Sequence, residues 1–181
     1  MFVYYTSGKF FERWIDMNDL LSAERKTEIA QQARKLLIEH NEATLPIDPF
    51  SLAGKLGLEV RYGEMLGNSI GELKGSTIII DERLKNDSPL SRCVLMHEIA
   101  HHQLQHGNAN KNNAHTKAEI EANFFAIEAL MPEPFVRKAL EIYNSQKRET
   151  VFDSLEEYIM YMFNVTERKA RQRLMGFNYA A

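Results

Sequence analysis

A single cysteine, Cys93, stands in a chain of 181 residues, so no internal disulfide can form, and a cysteine-built zinc finger or iron–sulfur site is excluded by the same count. Long apolar runs are missing as well; nothing approaches the ~18–20 consecutive apolar residues that cross a bilayer. Nor is there a basic excess. Twenty-two Lys plus Arg face 25 Asp plus Glu, a formal charge of −3, which gives no global electrostatic footprint for DNA or anionic lipid. Glycine-rich phosphate loops, internal repeats and low-complexity tracts are absent. The N-terminal MFVYYTSGKFFERWIDM lacks the basic start, continuous apolar stretch and small-residue cleavage site of a secretory signal. These absences point to a cytoplasmic protein with no membrane role and no direct contact with nucleic acid; they leave the oligomeric state open.

The composition that remains, 44% apolar and 26% charged, is that of an ordinary globular domain. Its distinctive item is histidine: five of six, His97, His101, His102, His106 and His115, fall within 19 positions. An aromatic arm, residues 1–17 with Phe2, Tyr4, Tyr5, Phe10, Phe11 and Trp14, reads as an extension packed on the domain.

Hydrophobic spacing predicts a helix within 18–40, where Ile29, Ala33, Leu36 and Leu37 share a face, and a short helix at 49–56 behind Asp48 and Pro49. The period then changes. Residues 58–62, 69–73 and 76–81 read as three strands, the last two joined at Lys74-Gly75 as a hairpin. A helix opening at Ser88-Pro89 runs to about Gln105, and 107–115 is an Asn-rich loop. Four more helices follow, at about 116–131, 134–144, 154–163 and 166–175, with Asp153 and Glu156 at capping-box spacing. The order gives an α+β fold with a small three-stranded sheet and a helical C-terminal half, without the βαβ alternation of a nucleotide-binding sheet.

His97-Glu98-Ile99-Ala100-His101 is an HExxH pattern in the middle of a predicted helix. Four helical steps turn roughly 400°, so the two imidazoles project from one face, a turn apart, and can converge on one Zn²⁺. Glu98 lies roughly 100° round the helix, out of that row but within reach of a water at the metal, where a carboxylate serves as general base. A catalytic zinc wants a third protein ligand. The extended HExxHxxGxxH pattern fails, since Leu104 and Gly107 stand at its glycine and histidine positions. His106 lies roughly 180° round the helix from His97 and points away, and His102, displaced by roughly 140°, reads as a group behind a ligand or on the surface. On the next helix Glu121 is flanked by Ala118, Phe124 and Phe125, where an isolated carboxylate would be costly unless a cation meets it. Glu121 is therefore favoured, with His115 its main rival; Glu119 reads as solvated, and Glu128 as a partner for an imidazole or a substrate.

From about residue 26 to 175 the chain resembles the ImmA/IrrE-type metallo-endopeptidases. The resemblance is carried by LPIDPFSLAGKLGLEV (45–60), STIIID (76–81), RCVLMHEIAHH (92–102), EANFFAIEALMP (121–132) and YMFNVTERKARQRL (161–174). It implies a zincin-like fold, zinc held by His97, His101 and Glu121, and Glu98 as general base. It also implies a site-specific protease of helix-turn-helix repressors or related regulators, often encoded beside them in mobile elements. Ala100 stands where the family usually has Gly and Cys93 where Phe is common, both keeping the apolar character of the helix. The aromatic arm is outside the family pattern.

The expected organisation is thus an arm at 1–17, a metallopeptidase core at 18–132 and a helical extension of the same domain at 133–181. The expected function is zinc-dependent cleavage of a regulator. The alternative is a non-catalytic regulatory or toxin–antitoxin partner with a structural zinc. Strand 76–80 is expected to offer its edge to an extended substrate. Oxyanion stabilisation is left among His115, Tyr143, Tyr158 and Tyr161. The basic tail segment 167–173 reads as the solvated face of a terminal helix.

Overall fold

The computed structural model describes residues 21–42, 44–67, 69–106, 117–146 and 151–177. The arm at 1–17 and the loop at 107–115, with His115, lie outside the described residues. Within them the chain forms α1 (Ala23–Glu39), α2 (Pro49–Lys55), β1 (Glu59–Gly63), β2 (Gly71–Lys74), β3 (Thr77–Asp81), α3 (Ser88–Gln103), α4 (Lys117–Leu130), α5 (Glu133–Gln146), α6 (Leu155–Phe163) and α7 (Glu167–Met175). A turn of 3-10 helix at Glu82–Leu84 links β3 to α3. The architecture is α+β and zincin-like.

Helices α1, α2, α3, α6 and α7 start where a side-chain oxygen takes an orphan N–H. Ser22 accepts from Arg25 N, Asp48 from Phe50 N ahead of Pro49, and Asp87 from Leu90 N ahead of Pro89. At α6 the expected box moves one residue on: Ser154 Oγ accepts from Glu157 N, and the Glu157 carboxylate accepts from Asp153 N.

The sheet order is β1-β3-β2, with β1 parallel and β2 antiparallel to β3. The register pairs Glu59 with Thr77 on one side and Lys74 with Thr77 on the other, so the hairpin loop is Gly75-Ser76, one residue beyond the expected turn. Gly75 has φ 59°, the positive value a tight hairpin demands at its first loop position. Both neighbours of β3 are therefore strands, and the expected role of 76–80 as an edge strand is corrected: among the described residues the edges are β1 and β2. A one-dimensional reading cannot see this, because the parallel β1–β3 pairing inserts β3 between strands that precede it.

Ile78 and Ile80 of β3 are fully buried, as are Leu95, Met96 and Ile99 of α3, Phe125, Ala126 and Ala129 of α4, and Ile29 and Ala33 of α1. These residues belong to one core, in which α4 packs against both α1 and α3. Each large side chain so buried contributes about 1.5–3 kcal/mol. No helix among the described residues is long and apolar enough to cross a membrane.

Candidate metal centre

The apolar residues of α3 anchor it in the core and turn His97 and His101 toward α4. Their Nε2 atoms are 3.0 Å apart. From α4, Glu119 brings Oε2 to 3.1 Å from His97 Nε2 and Oε1 to 3.3 Å from His101 Nε2. One donor atom from each of the three lies within 4.8 Å of the others. A tetrahedral zinc with ligands at ~2.0–2.1 Å has a donor–donor edge of about 3.3 Å, so these spacings match one face of such a polyhedron. Two neutral imidazoles and a carboxylate are also the donor chemistry of an open, catalytic zinc site. The residues fit the ion that the sequence implies.

Burial opposes the charge on Glu119, but the His101 and His97 rings beside it outweigh that and hold the carboxyl well below the usual carboxylate range. Behind it, Asn123 Nδ2 donates to the Glu119 carbonyl at 2.9 Å, and Asn123 Oδ1 accepts from Lys169 Nζ at 2.9 Å.

Glu121 is not brought to the two imidazoles. It is buried, at 4% exposure, and a cation does meet it, but that cation is the Arg25 guanidinium of α1. Arg25 Nε donates to Oε1 at 2.9 Å and Nη2 to Oε2 at 2.8 Å, a bidentate pair that holds the Glu121 carboxyl below its ordinary range. Two helical steps turn about 200°, so Glu119 and Glu121 cannot face the same neighbour. Which of them meets α3 is not written in their apolar flanks, because Ile120–Ala122 and Phe125–Leu130 are buried nearly all round. Glu119, expected in solvent, is the one that faces the histidines.

His106 also departs from expectation. Helix α3 stops at Gln103; Gln105 takes a left-handed φ of 54°, its N–H bonds the His102 carbonyl and His106 N–H bonds the His101 carbonyl. This Schellman turn folds His106 back over the last turn of the helix instead of continuing its spiral. Its Nδ1 lies 3.1 Å from His101 Nδ1, and its Nε2 lies 3.1 Å from Glu121 Oε2. Burial pushes His106 below the ordinary imidazole value, against the pull of Glu121. His97 Nδ1, by contrast, is buried without a hydrogen-bond partner among the described residues.

Glu98 is buried and lies against β2. A Cβ on Gly71 would fall 2.4 Å from Val94 Cγ1 and 3.1 Å from Glu98 Oε1, so the glycine is what lets this strand approach the helix so closely. Glu128, expected near an imidazole or a substrate, instead forms a buried ion pair with Arg173 of α7. His102 is exposed beside Gln103. Tyr143 and Tyr158 are buried with ring centroids 5.5 Å apart, and Tyr161 is exposed with its ring 5.2 Å from that of Phe152. Sequence reasoning missed Arg25 altogether; its only local signal is a charged residue at the start of an otherwise ordinary amphipathic helix.

The Peptidase M78 family model, described as the IrrE N-terminal-like domain, matches residues 53–175. A search among curated proteins gives no match. The matched stretch is about two thirds of the chain and takes in the sheet, α3 and α4, and with them His97, Glu98, His101 and Glu119. A match of that extent over the elements that build the centre makes this chain a member of the Peptidase M78 family, and so of a peptidase-type class of hydrolases.

Proposed function

We propose that the chain is a zinc-dependent endopeptidase that cleaves a protein regulator in the cytoplasm. His97, His101 and Glu119 hold the ion, with Glu119 taking the place first given to Glu121, and Glu98 is the general base. The observation that supports this reading is the convergence of three donors from two helices at 3.0, 3.1 and 3.3 Å. When bound, zinc supplies Lewis acidity, which makes water a nucleophile at neutral pH and polarises a carbonyl. The chain's own residues do the rest. Glu98, held between α3 and β2, accepts the proton of the attacking water at a carboxylate oxygen and passes it to the departing amine.

The choice of a helix-turn-helix regulator as substrate rests on the resemblance to ImmA/IrrE-type enzymes. The test incubates the zinc-loaded chain with such a repressor encoded beside it. The wild type is expected to bind about one zinc and cut at a defined bond. Glu98→Gln should keep fold and metal and lose about 10²–10⁴-fold in rate. Equal cleavage by Glu98→Gln, or a wild type that takes up no zinc, overturns the reading.

A further inference from the structure

The contacts around Glu121 form a directed chain. Both Glu121 oxygens accept from Arg25, and an ionised carboxylate has nothing to donate, so the 3.1 Å contact with His106 Nε2 requires the proton to be on that nitrogen. A neutral ring protonated on Nε2 has its lone pair on Nδ1. The facing atom is His101 Nδ1, also at 3.1 Å, which must then carry the proton. That leaves the lone pair of His101 on Nε2, the atom 3.0 Å from His97 Nε2 and 3.3 Å from Glu119 Oε1. With neutral rings, reversing either tautomer sets two N–H groups or two lone pairs against one another at Glu121 or between the two rings; the assignment given leaves facing lone pairs only where His101 Nε2 meets Glu119 Oε1 at 3.3 Å, the pair that a bound cation would bridge.

We propose that Arg25, Glu121 and His106 are a positioning relay that locks His101 in the tautomer and ring orientation needed to bind the metal. The inference rests on the centre assigned above to His97, His101 and Glu119. It gives a purpose to three otherwise separate facts: a buried acid that binds no metal, a helix end that turns a histidine backwards, and an arginine that reaches across from α1. It also makes the two imidazoles unequal, because His97 Nδ1 has no such support among the described residues. A ligating imidazole braced through its other nitrogen is the more basic and better-oriented ligand.

The test reads zinc affinity by chelator competition, with the melting temperature of the metal-free protein as the fold control. His106→Leu is expected to weaken zinc binding about 10–100-fold. His106→Gln, whose amide can both donate to Glu121 and accept from His101, should recover most of that loss. Unchanged affinity in His106→Leu overturns the relay, as does a His106→Gln no better than His106→Leu. Should His106→Leu fail to fold, nitrogen-15 spectra of the zinc-loaded wild type give the same answer: a proton on His101 Nδ1 and on His106 Nε2 is expected, and either reversed tautomer refutes it. Glu119→Gln should cost more zinc affinity than Glu121→Gln; the opposite order makes Glu121 a ligand and removes the relay. A wild type that binds no zinc sinks the underlying centre, whereas a zinc-binding wild type indifferent to His106 sinks the relay alone.

Discussion

Lys169, like the buried Arg173, departs from the solvated face expected of the terminal basic segment. The residue as a whole is half-buried, but its ammonium end is enclosed by protein and donates to Asn123. Burial pushes its pKa from 10.5 down to about 8, with nearby Cys93 opposing the shift and Arg168 adding to it. Between those two values the unfolded chain binds more protons than the folded one, so stability gains with rising pH across that window. Measured by denaturant unfolding, the stability of wild type relative to Lys169→Met should rise by about 3 kcal/mol from pH 7 to pH 10.5. A flat difference would mean that the ammonium titrates at its ordinary value. At this scale the sequence shows residue types and spacings but not which neighbour arrives. The i, i+4 histidines are brought together because one helix does it. Glu121 needed a cation, and nothing in its own helix tells whether an ion or a guanidinium from 96 residues away supplies it.

At the scale of elements, turn chemistry was readable where it used the usual residues. Gly57 and Asn164 take positive φ at helix ends, as their types favour, and so does Asn41. Gln105 does the same work with a side chain that disfavours it, which is why the sequence pattern carries α3 two residues past its end at Gln103. Gln105→Gly should therefore be neutral or stabilising by up to about 1 kcal/mol, and Gln105→Val destabilising by at least as much. Thermal melts of the metal-free protein check this; a Gly variant less stable than the Val variant would contradict the left-handed cap. The strands were visible as a change of period, and their ends moved by only one or two residues. Their order was not, since β1 reaches β3 through a parallel pairing that no hairpin signal announces.

For the molecule as a whole, the Glu128–Arg173 pair ties α4, which carries the centre, to the last helix. Both partners are buried, at 5% and 7% exposure, and Arg173 also lies over the Phe177 ring at 5.1 Å. Breaking such a pair leaves a buried charge, so Arg173→Met should cost about 3–5 kcal/mol in unfolding free energy, while the double change Glu128→Leu with Arg173→Met should restore most of it. If the single and double variants prove equally unstable, packing rather than charge holds α7 in place.

Arg25 belongs to α1, upstream of the stretch 53–175 that carries the family match. Every group assigned to hold the ion thus sits on one side of the link between α1 and α2, and the guanidinium that steadies them from behind sits on the other. A nick in that link would leave the site complete in its ligands yet make its grip on the ion depend on how much of the severed α1 fragment is present, turning an intramolecular clasp into a bimolecular one.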